Sequence, residues 1–290
     1  MSVLLSLRHL TRYRYDRPVA LGPHEVRLKP APVRPTSLAA YDLAVRPAPR
    51  TTKWYHDAAG NAVARLLFDE RTPGLELEVS LAIELAPVNP FDFLVAPDAE
   101  RFPFRYDEAT RAELCAWLAP AEDGGRLRDW LGAFRCAERP EGGSTVELLV
   151  GLNRRLRSEV AYVAREEHGV QSAEETLRLG RGSCRDSAWL LAQALRQLGI
   201  AARFVSGYLI QLAGEAPDAP AADGAELHAW AEAYLPGAGW IGLDPTSGLL
   251  AAEAHVPLAR AASPVMAAPV TGSVEPCRSE MEYSISVRRV

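Results

Sequence analysis

The sequence has few cysteines and none is paired for metal or redox work. Cys115, Cys136, Cys184 and Cys277 stand far apart and form no CxxC, which excludes the common zinc and thioredoxin-type motifs. No window approaches the ~20 consecutive apolar residues that span a bilayer. The opening Met1-Ser-Val-Leu-Leu-Ser-Leu7 is too short for a secretory apolar region and runs at once into Arg8 and Arg12, so no leader is expected there. Only Lys29 and Lys53 are lysines among 32 Lys+Arg, the arginines form no basic block, and 37 Asp+Glu bring the formal net charge to −5. Neither nucleic acid nor a membrane is therefore an expected partner. No Asp-rich EF-hand loop is present, so calcium is not expected; the expected metal set and cofactor set are both none. These absences together predict a cytoplasmic protein with reduced thiols.

What remains has ordinary globular composition: 290 residues, 48% in the hydrophobic class and 24% charged. That excludes a disordered chain and a small disulfide scaffold, and leaves room for about two domains with a sizeable core. Residues 1–95 read as β. The run Leu75-Glu-Leu-Glu-Val-Ser-Leu-Ala-Ile-Glu-Leu85 alternates, as does 12–15; shorter strands are expected at 41–45 and 62–68, the latter after the turn Asp57-Ala-Ala-Gly-Asn61. Closely spaced turns between alternating runs suggest an antiparallel β-sandwich-like domain. His9, His24 and His56 are isolated there and are expected to do no chemistry. Residues 96–143 read as a helical connector with a tip at 138–143; Cys115 and Cys136, beside Trp117 and Phe134, are expected to be small buried hydrophobes. A core over 144–265 follows, with Ser144-Thr-Val-Glu147 and Ser172-Ala-Glu-Glu175 opening helices. The tail, 266–290, holds a final strand at 284–287 that is expected to rejoin the first domain's sheet.

The chemistry concentrates in the core. Residues 180–183 are Gly-Arg-Gly-Ser, and from Cys184 onward Ala188, Leu191, Leu195 and Leu198 recur at helical spacing until Gly199. Cys184 thus falls in the first turn of a buried helix with Ser183 as a candidate N-cap. Free N–H groups and the positive helix end favour a thiolate there, and the same groups suit the oxygen of a tetrahedral intermediate. A nucleophilic thiol needs a base, and the base an orienting group. Downstream, 200–210 reads as a strand, 213–224 as an acidic loop, and 226–235 as a strand in which His228, Trp230, Glu232 and Tyr234 share one face. Pro236-Gly-Ala-Gly239 turns the chain, and the return strand ends at Asp244 before Pro245. Asp244 lies on the side of His228 only if facing residues have an even number sum, which predicts an odd-numbered connection or a bulge at 236–239.

The segments Gly-Ser-Cys184-Arg-Asp, Arg203-Phe-Val-Ser-Gly-Tyr208, His228-Ala-Trp-Ala-Glu232 and Gly-Trp240-Ile-Gly-Leu-Asp244-Pro-Thr together resemble the bacterial transglutaminase-like superfamily, many of whose members are described as cysteine proteases. The first domain resembles the β region preceding that core, through His9-Leu-Thr-Arg-Tyr-Arg-Tyr15, Gly22-Pro-His-Glu-Val-Arg-Leu28 and Asp57-Ala-Ala-Gly-Asn61. The resemblance implies an α+β fold with a papain-like core: a helix carrying Cys184, packed on an antiparallel sheet carrying His228 and Asp244. It implies Cys184 as nucleophile, His228 as general base and acid, and Asp244 as orienter of the imidazole. Tyr162 and the Cys184 backbone N–H become candidate oxyanion donors, Trp230 and Trp240 candidate cleft walls, and His255 a candidate on the substrate side. Asp186 is expected to bond at the helix start, Arg203 and Tyr208 to belong to the fold, and Cys277 to be inert. The expected activity is peptidase or amidase hydrolysis of a peptide or isopeptide amide through a thioester, on a peptide or protein substrate. A protein-glutamine transamidase and a non-catalytic peptide-binding scaffold are the alternatives.

Overall fold

The computed structural model describes residues 2–31, 36–138, 142–214 and 221–290. The first part of the chain is six strands: β1 (Val3–Val19), β2 (Leu21–Val26), β3 (Ser37–Arg46), β4 (Thr51–His56), β5 (Ala62–Leu67) and β6 (Thr72–Leu85). Four helices follow, α1 (Glu108–Glu113), α2 (Cys115–Leu118), α3 (Gly125–Glu138) and α4 (Thr145–Glu159). The core continues through β7 (Ala161–Tyr162), α5 (Ala173–Leu179), β8 (Arg181–Gly182), α6 (Cys184–Gln197), β9 (Ala202–Gln211), β10 (Gly224–Leu235), β11 (Gly239–Asp244), β12 (Leu249–Leu250) and β13 (His255–Ala261). The chain ends in β14 (Val270–Val274) and β15 (Ser279–Arg289).

Two four-stranded sheets, ordered β15-β1-β6-β3 and β14-β2-β5-β4, make the sandwich. The odd-numbered residues of β6, Leu75 to Leu85, are all buried, so the alternating run packs as its pattern requires. The expected last strand is present and longer: β15 pairs with β1 from Leu5↔Arg289 to Tyr15↔Ser279. A second tail strand, β14, pairs with β2. Both halves of the tail therefore close edges of the first domain's sheets. The strand β4 gave no alternating signal because it is exposed over almost its whole length.

The core sheet has the order β12-β11-β10-β9-β13. Its small-residue face, Ala229, Ala231 and Ala233, joins Ala188, Leu191 and Leu195 of α6 in one buried cluster with α3 and α4 residues. Alanines let the helix lie close on the strand. Further along the same sheet Tyr208, Ile210, Val256 and Leu258 join the sandwich core instead. The sandwich and the helical core thus share a sheet rather than meeting through a linker.

Among the polar ties across that junction, two run through buried side chains of the first domain. His9 Nδ1 lies 2.9 Å from the Tyr208 hydroxyl and its Nε2 3.0 Å from Thr11 Oγ1. Burial pushes its pKa down to about 4, so it stays neutral. The other tie is Asn61, held by its turn and almost fully buried. Its amide donates to the Arg260 carbonyl at 2.8 Å and accepts from the Arg260 N–H at 2.8 Å, as a neighbouring strand would.

Cys115 and Cys136 are exposed, contrary to expectation. The buried stripe of α3 is Leu127, Trp130, Leu131 and Phe134; Cys136 is two residues further, about 200° around the helix from Phe134. The short helices α1 and α2 bury none of their residues. Residues 139–141 of the expected tip and 215–220 of the acidic loop lie outside the described residues. Among those described, no helix is long and apolar enough to cross a membrane.

Replacing Asn61 by Ala should strand the partly buried Arg260 N–H and carbonyl and cost about 1–2 kcal/mol. The urea midpoint should fall accordingly; an unchanged midpoint would show that the tie carries no stability.

Candidate active site

Cys184 is the first residue of α6 and is partly buried. The start of that helix is built on Asp186. Its fully buried carboxylate accepts from the Ser183 N–H and Oγ–H, both at 2.8 Å, from the Gln171 N–H at 2.7 Å and from Arg165 Nε at 2.8 Å. The carboxylate sits in the first turn, where the helix dipole also favours it. Gly182 is required by this packing: a Cβ there would lie 2.8 Å from the Cβ of Asp186. Gly180 closes α5 in the left-handed region, at φ 62°.

β7 pairs in parallel with β8, Tyr162 opposite Gly182. This places Tyr162 beside the entry to α6, with its ring about half exposed. Burial and the neighbouring Cys184 charge both raise the phenol pKa.

The hairpin register satisfies the sequence expectation. β10 and β11 pair from Ala231↔Leu243 to Leu235↔Gly239, so facing numbers have an even sum and 236–238 is a three-residue connection. Gly237 and Gly239 take φ 83° and 77° in that turn. Asp244 therefore falls on the His228 side of the sheet. His228 Nε2 is 3.2 Å from Asp244 Oδ2. Both residues are almost wholly buried. Thr246 completes the carboxylate: its N–H and Oγ–H donate to Oδ1 at 2.9 and 2.7 Å. The same Thr246 oxygen lies 3.4 Å from His228 Nε2. The backbone carbonyl of Asp244 is in turn held by Asn153 Nδ2 from α4 and by the Gly248 N–H.

Burial opposes charge on His228, but the hydrogen bonds and charges of Asp244 and Cys184 outweigh it and push its pKa up to about 10. Burial also opposes the Asp244 carboxylate. The donors His228, His255 and Thr246 more than offset it and hold the group well below the usual carboxylate range. Cys184, His228 and Asp244 are thus brought together from α6, β10 and the end of β11.

The remaining candidates are placed as follows. Trp230 is buried, its ring stacked beside His228 at 6.4 Å between centroids and 26° between planes. Trp240 carries the Arg203 guanidinium on its face at 4.0 Å, and Arg203 pairs with Glu232 at 2.6 Å. Both tryptophans line a cavity of about 270 Å³ together with Glu232, Gly242, His255 and Arg260, a lining that does not include Cys184 or His228. Tyr208 is fully buried. His255, a candidate for the substrate side, lines the same cavity; its side chain is only 10% exposed and its Nε2 lies 3.3 Å from Asp244 Oδ2. Sequence reasoning assigned no role to Thr246, although it stands two residues after Asp244 where such a hydroxyl bonds back. Asn153 and Arg165 carried no local signal, since their partners are distant in sequence.

Residues 5–84 match the family model for the bacterial transglutaminase-like N-terminal region, and residues 139–245 match that for the transglutaminase-like superfamily. The chain carries a transglutaminase-like core behind a bacterial transglutaminase-like N-terminal region. Over 265 residues it is 26% identical to an uncharacterized protein of Mycobacterium tuberculosis, covering 87% of this chain and 81% of that one. An uncharacterized protein of Mycobacterium leprae is 28% identical over 257 residues, 86% and 85% of the two chains. The crystal structure of a "Putative Cysteine Protease" from Cytophaga hutchinsonii superposes with a TM-score of 0.72 at 18% identity, over 100% of this chain and 91% of that one. The α+β, papain-like architecture expected for the transglutaminase-like core is therefore the one observed.

The His228 ring should titrate near pH 10, read by NMR of ring-labelled histidine. Replacing Cys184 by Ala should lower that midpoint. Replacing Asp244 by Ala as well leaves burial unopposed, and the midpoint should fall below the ordinary 6.5. Because the folded pKa is raised, the pair's stabilisation is complete below about pH 6.5 and is lost as pH rises through about 10. A wild-type midpoint at or below 6.5 would contradict the geometry.

Proposed function

We propose that the protein is a cysteine-dependent acyl-transfer enzyme that hydrolyses a peptide or isopeptide amide. The observation that carries this reading is the His228–Asp244 pair beside a partly accessible Cys184 at a helix N-terminus. The family assignment and the cysteine-protease description of the Cytophaga neighbour agree with it.

The steps follow from the side chains. Imidazole with its Nε2 occupied by Asp244 offers Nδ1 to the thiol. His228 takes the Cys184 proton, and the sulfur attacks the amide carbonyl carbon. The tetrahedral oxyanion is met by the Cys184 backbone N–H, with Tyr162 as the adjacent donor. As the C–N bond breaks, His228 gives its proton to the departing amine, leaving a thioester on Cys184. Water then attacks the thioester carbon while His228 removes its proton; the C–S bond breaks, the acid leaves, and the thiol is restored. An amine in place of water gives the same first half and a transamidation in the second. Asp244 does not transfer a proton; it keeps the ring's orientation and favours its cation.

The exposed Cys115 and Cys136 make an internal control. At pH 6, well below the ordinary thiol pKa of ~8.5, iodoacetamide should label Cys184 at least about tenfold faster than either. Changing His228 to Ala should abolish that advantage. Equal, slow labelling of all thiols would favour a scaffold that keeps the fold without the chemistry. The reaction type is read with a peptide library as acyl donor, with and without a primary amine, against Cys184→Ala. Free acid as the main product in both arms supports hydrolysis; an amine adduct as the main product would make the enzyme a transamidase.

A further inference from the structure

Asp244 holds two imidazoles on one oxygen. His228 Nε2 and His255 Nε2 lie 3.2 and 3.3 Å from the same Oδ2. Only the first is needed for acyl transfer. The three ligand-type atoms lie within 4.8 Å of one another, so the cluster poses two readings: a cation site, or a second proton donor.

The backbone around His255 distinguishes them. The chain turns sharply from Ala252 to His255, with the His255 N–H donating to the Ala252 carbonyl at 2.9 Å. The ring folds back over that turn, and the Ala252 N–H donates to His255 Nδ1 at 3.3 Å. Nδ1 is therefore the unprotonated nitrogen, and the proton of the neutral ring sits on Nε2, facing Asp244. A neutral imidazole that binds a cation through Nε2 carries its proton on Nδ1 and donates it to an acceptor. Here Nδ1 meets a donor, so cation binding would set N–H against N–H. The edge-to-face contact of Trp230 with the His255 ring, 5.1 Å between centroids and 79° between planes, fixes the ring plane.

We propose that His255 is a positioning residue of this site: its Nε2–H donates to Asp244 Oδ2 and, with the two Thr246 donors on Oδ1, locks the carboxylate in the orientation that steers His228. Two donors then sit on each oxygen, filling the roughly four lone-pair positions of a carboxylate. With every position taken, the carboxylate cannot rotate without leaving a buried donor or lone pair unmet. Its plane, and through it the tilt of the His228 ring toward Cys184, is set by residues that do not touch the reacting atoms. The titratable groups against Asp244 are His228 and His255, and those against His228 are Asp244, Cys184 and the His255 ring, from α6, β10, β11 and β13.

The effect on reactivity rests on the cysteine chemistry proposed above; the tautomer does not, and the two are tested separately. In ¹⁵N-histidine-labelled full-length protein at pH 8, long-range ¹H–¹⁵N spectra should show His255 as the Nε2–H tautomer, assigned by its loss in His255→Gln. An Nδ1–H tautomer would overturn the proposal outright. Two variants then read the consequence. His255→Met removes the donor while filling the space, and should slow alkylation of Cys184 at pH 6 about tenfold, a share of what a hydrogen bond to a charged group contributes. His255→Gln reaches Oδ2 with an amide N–H and should restore the rate to within about threefold. Equal rates in all three proteins would make His255 a bystander, and equal slowing in Met and Gln would make it mere packing; either result overturns the positioning role. Should the Met variant fail to fold, His255→Leu supplies the donor-less rate against which the Gln rate is read, and the wild-type tautomer still decides. If wild-type Cys184 alkylates no faster than Cys115, the acyl-transfer reading fails while the tautomer measurement stands.

Discussion

The site depends on one buried carboxylate. Asp244 sits where a strand ends at a proline, and a charge in that place is costly unless each oxygen is met by donors. The protein meets the cost locally through Thr246, across the hairpin through His228, and from the far strand of the same sheet through His255. The consequence runs outward. A carboxylate kept ionised favours the imidazolium of His228, and an imidazolium favours a thiolate beside it. The Asp244 carboxylate and the His228 imidazolium stabilise one another in a place where either alone would be neutral or expelled.

A second buried carboxylate, Asp186, does the matching work beside Cys184. It gathers Ser183, Gln171 and Arg165 around the first turn of α6. Cys184 thus stands beside one buried carboxylate and His228 beside another, each on a different layer. The layers are held in register by small residues, the alanines of β10 under the alanine and leucine face of α6. The sandwich adds to this from behind. It shares its core with β9 and β13 and braces β13 through Asn61, so the strand that delivers His255 is anchored to the first domain.

Much of this was legible along the chain because it obeys short periods. The alternation of 75–85 and 226–235, the glycine-flanked Cys184 followed by leucines at helical spacing, and the capping serines before α4 and α5 all state local structure directly. The pairing of His228 with Asp244 was legible only as a condition on register, since only an even sum could join them, and the three-residue connection supplies it. Where reading failed, the pattern was weak or the partner remote. Cys115 and Cys136 have apolar neighbours in sequence, yet the helix turns Cys136 away from the face that Phe134 buries. The strand β4 shows no alternation because it has no face to bury.

By itself, then, the sequence determined which residues could do chemistry and on which kind of element each stands, because those properties depend on neighbours within a few positions. Tertiary structure alone decided what lies behind them. That His255 turns its proton toward Asp244 follows from a backbone N–H three residues earlier and a carboxylate on another strand. That Arg165 steadies the start of α6, and that Asn153 holds the carbonyl of Asp244, follow from packing between elements. Hydrogen-bond partners of buried charges are chosen in space, and no period in the chain records them.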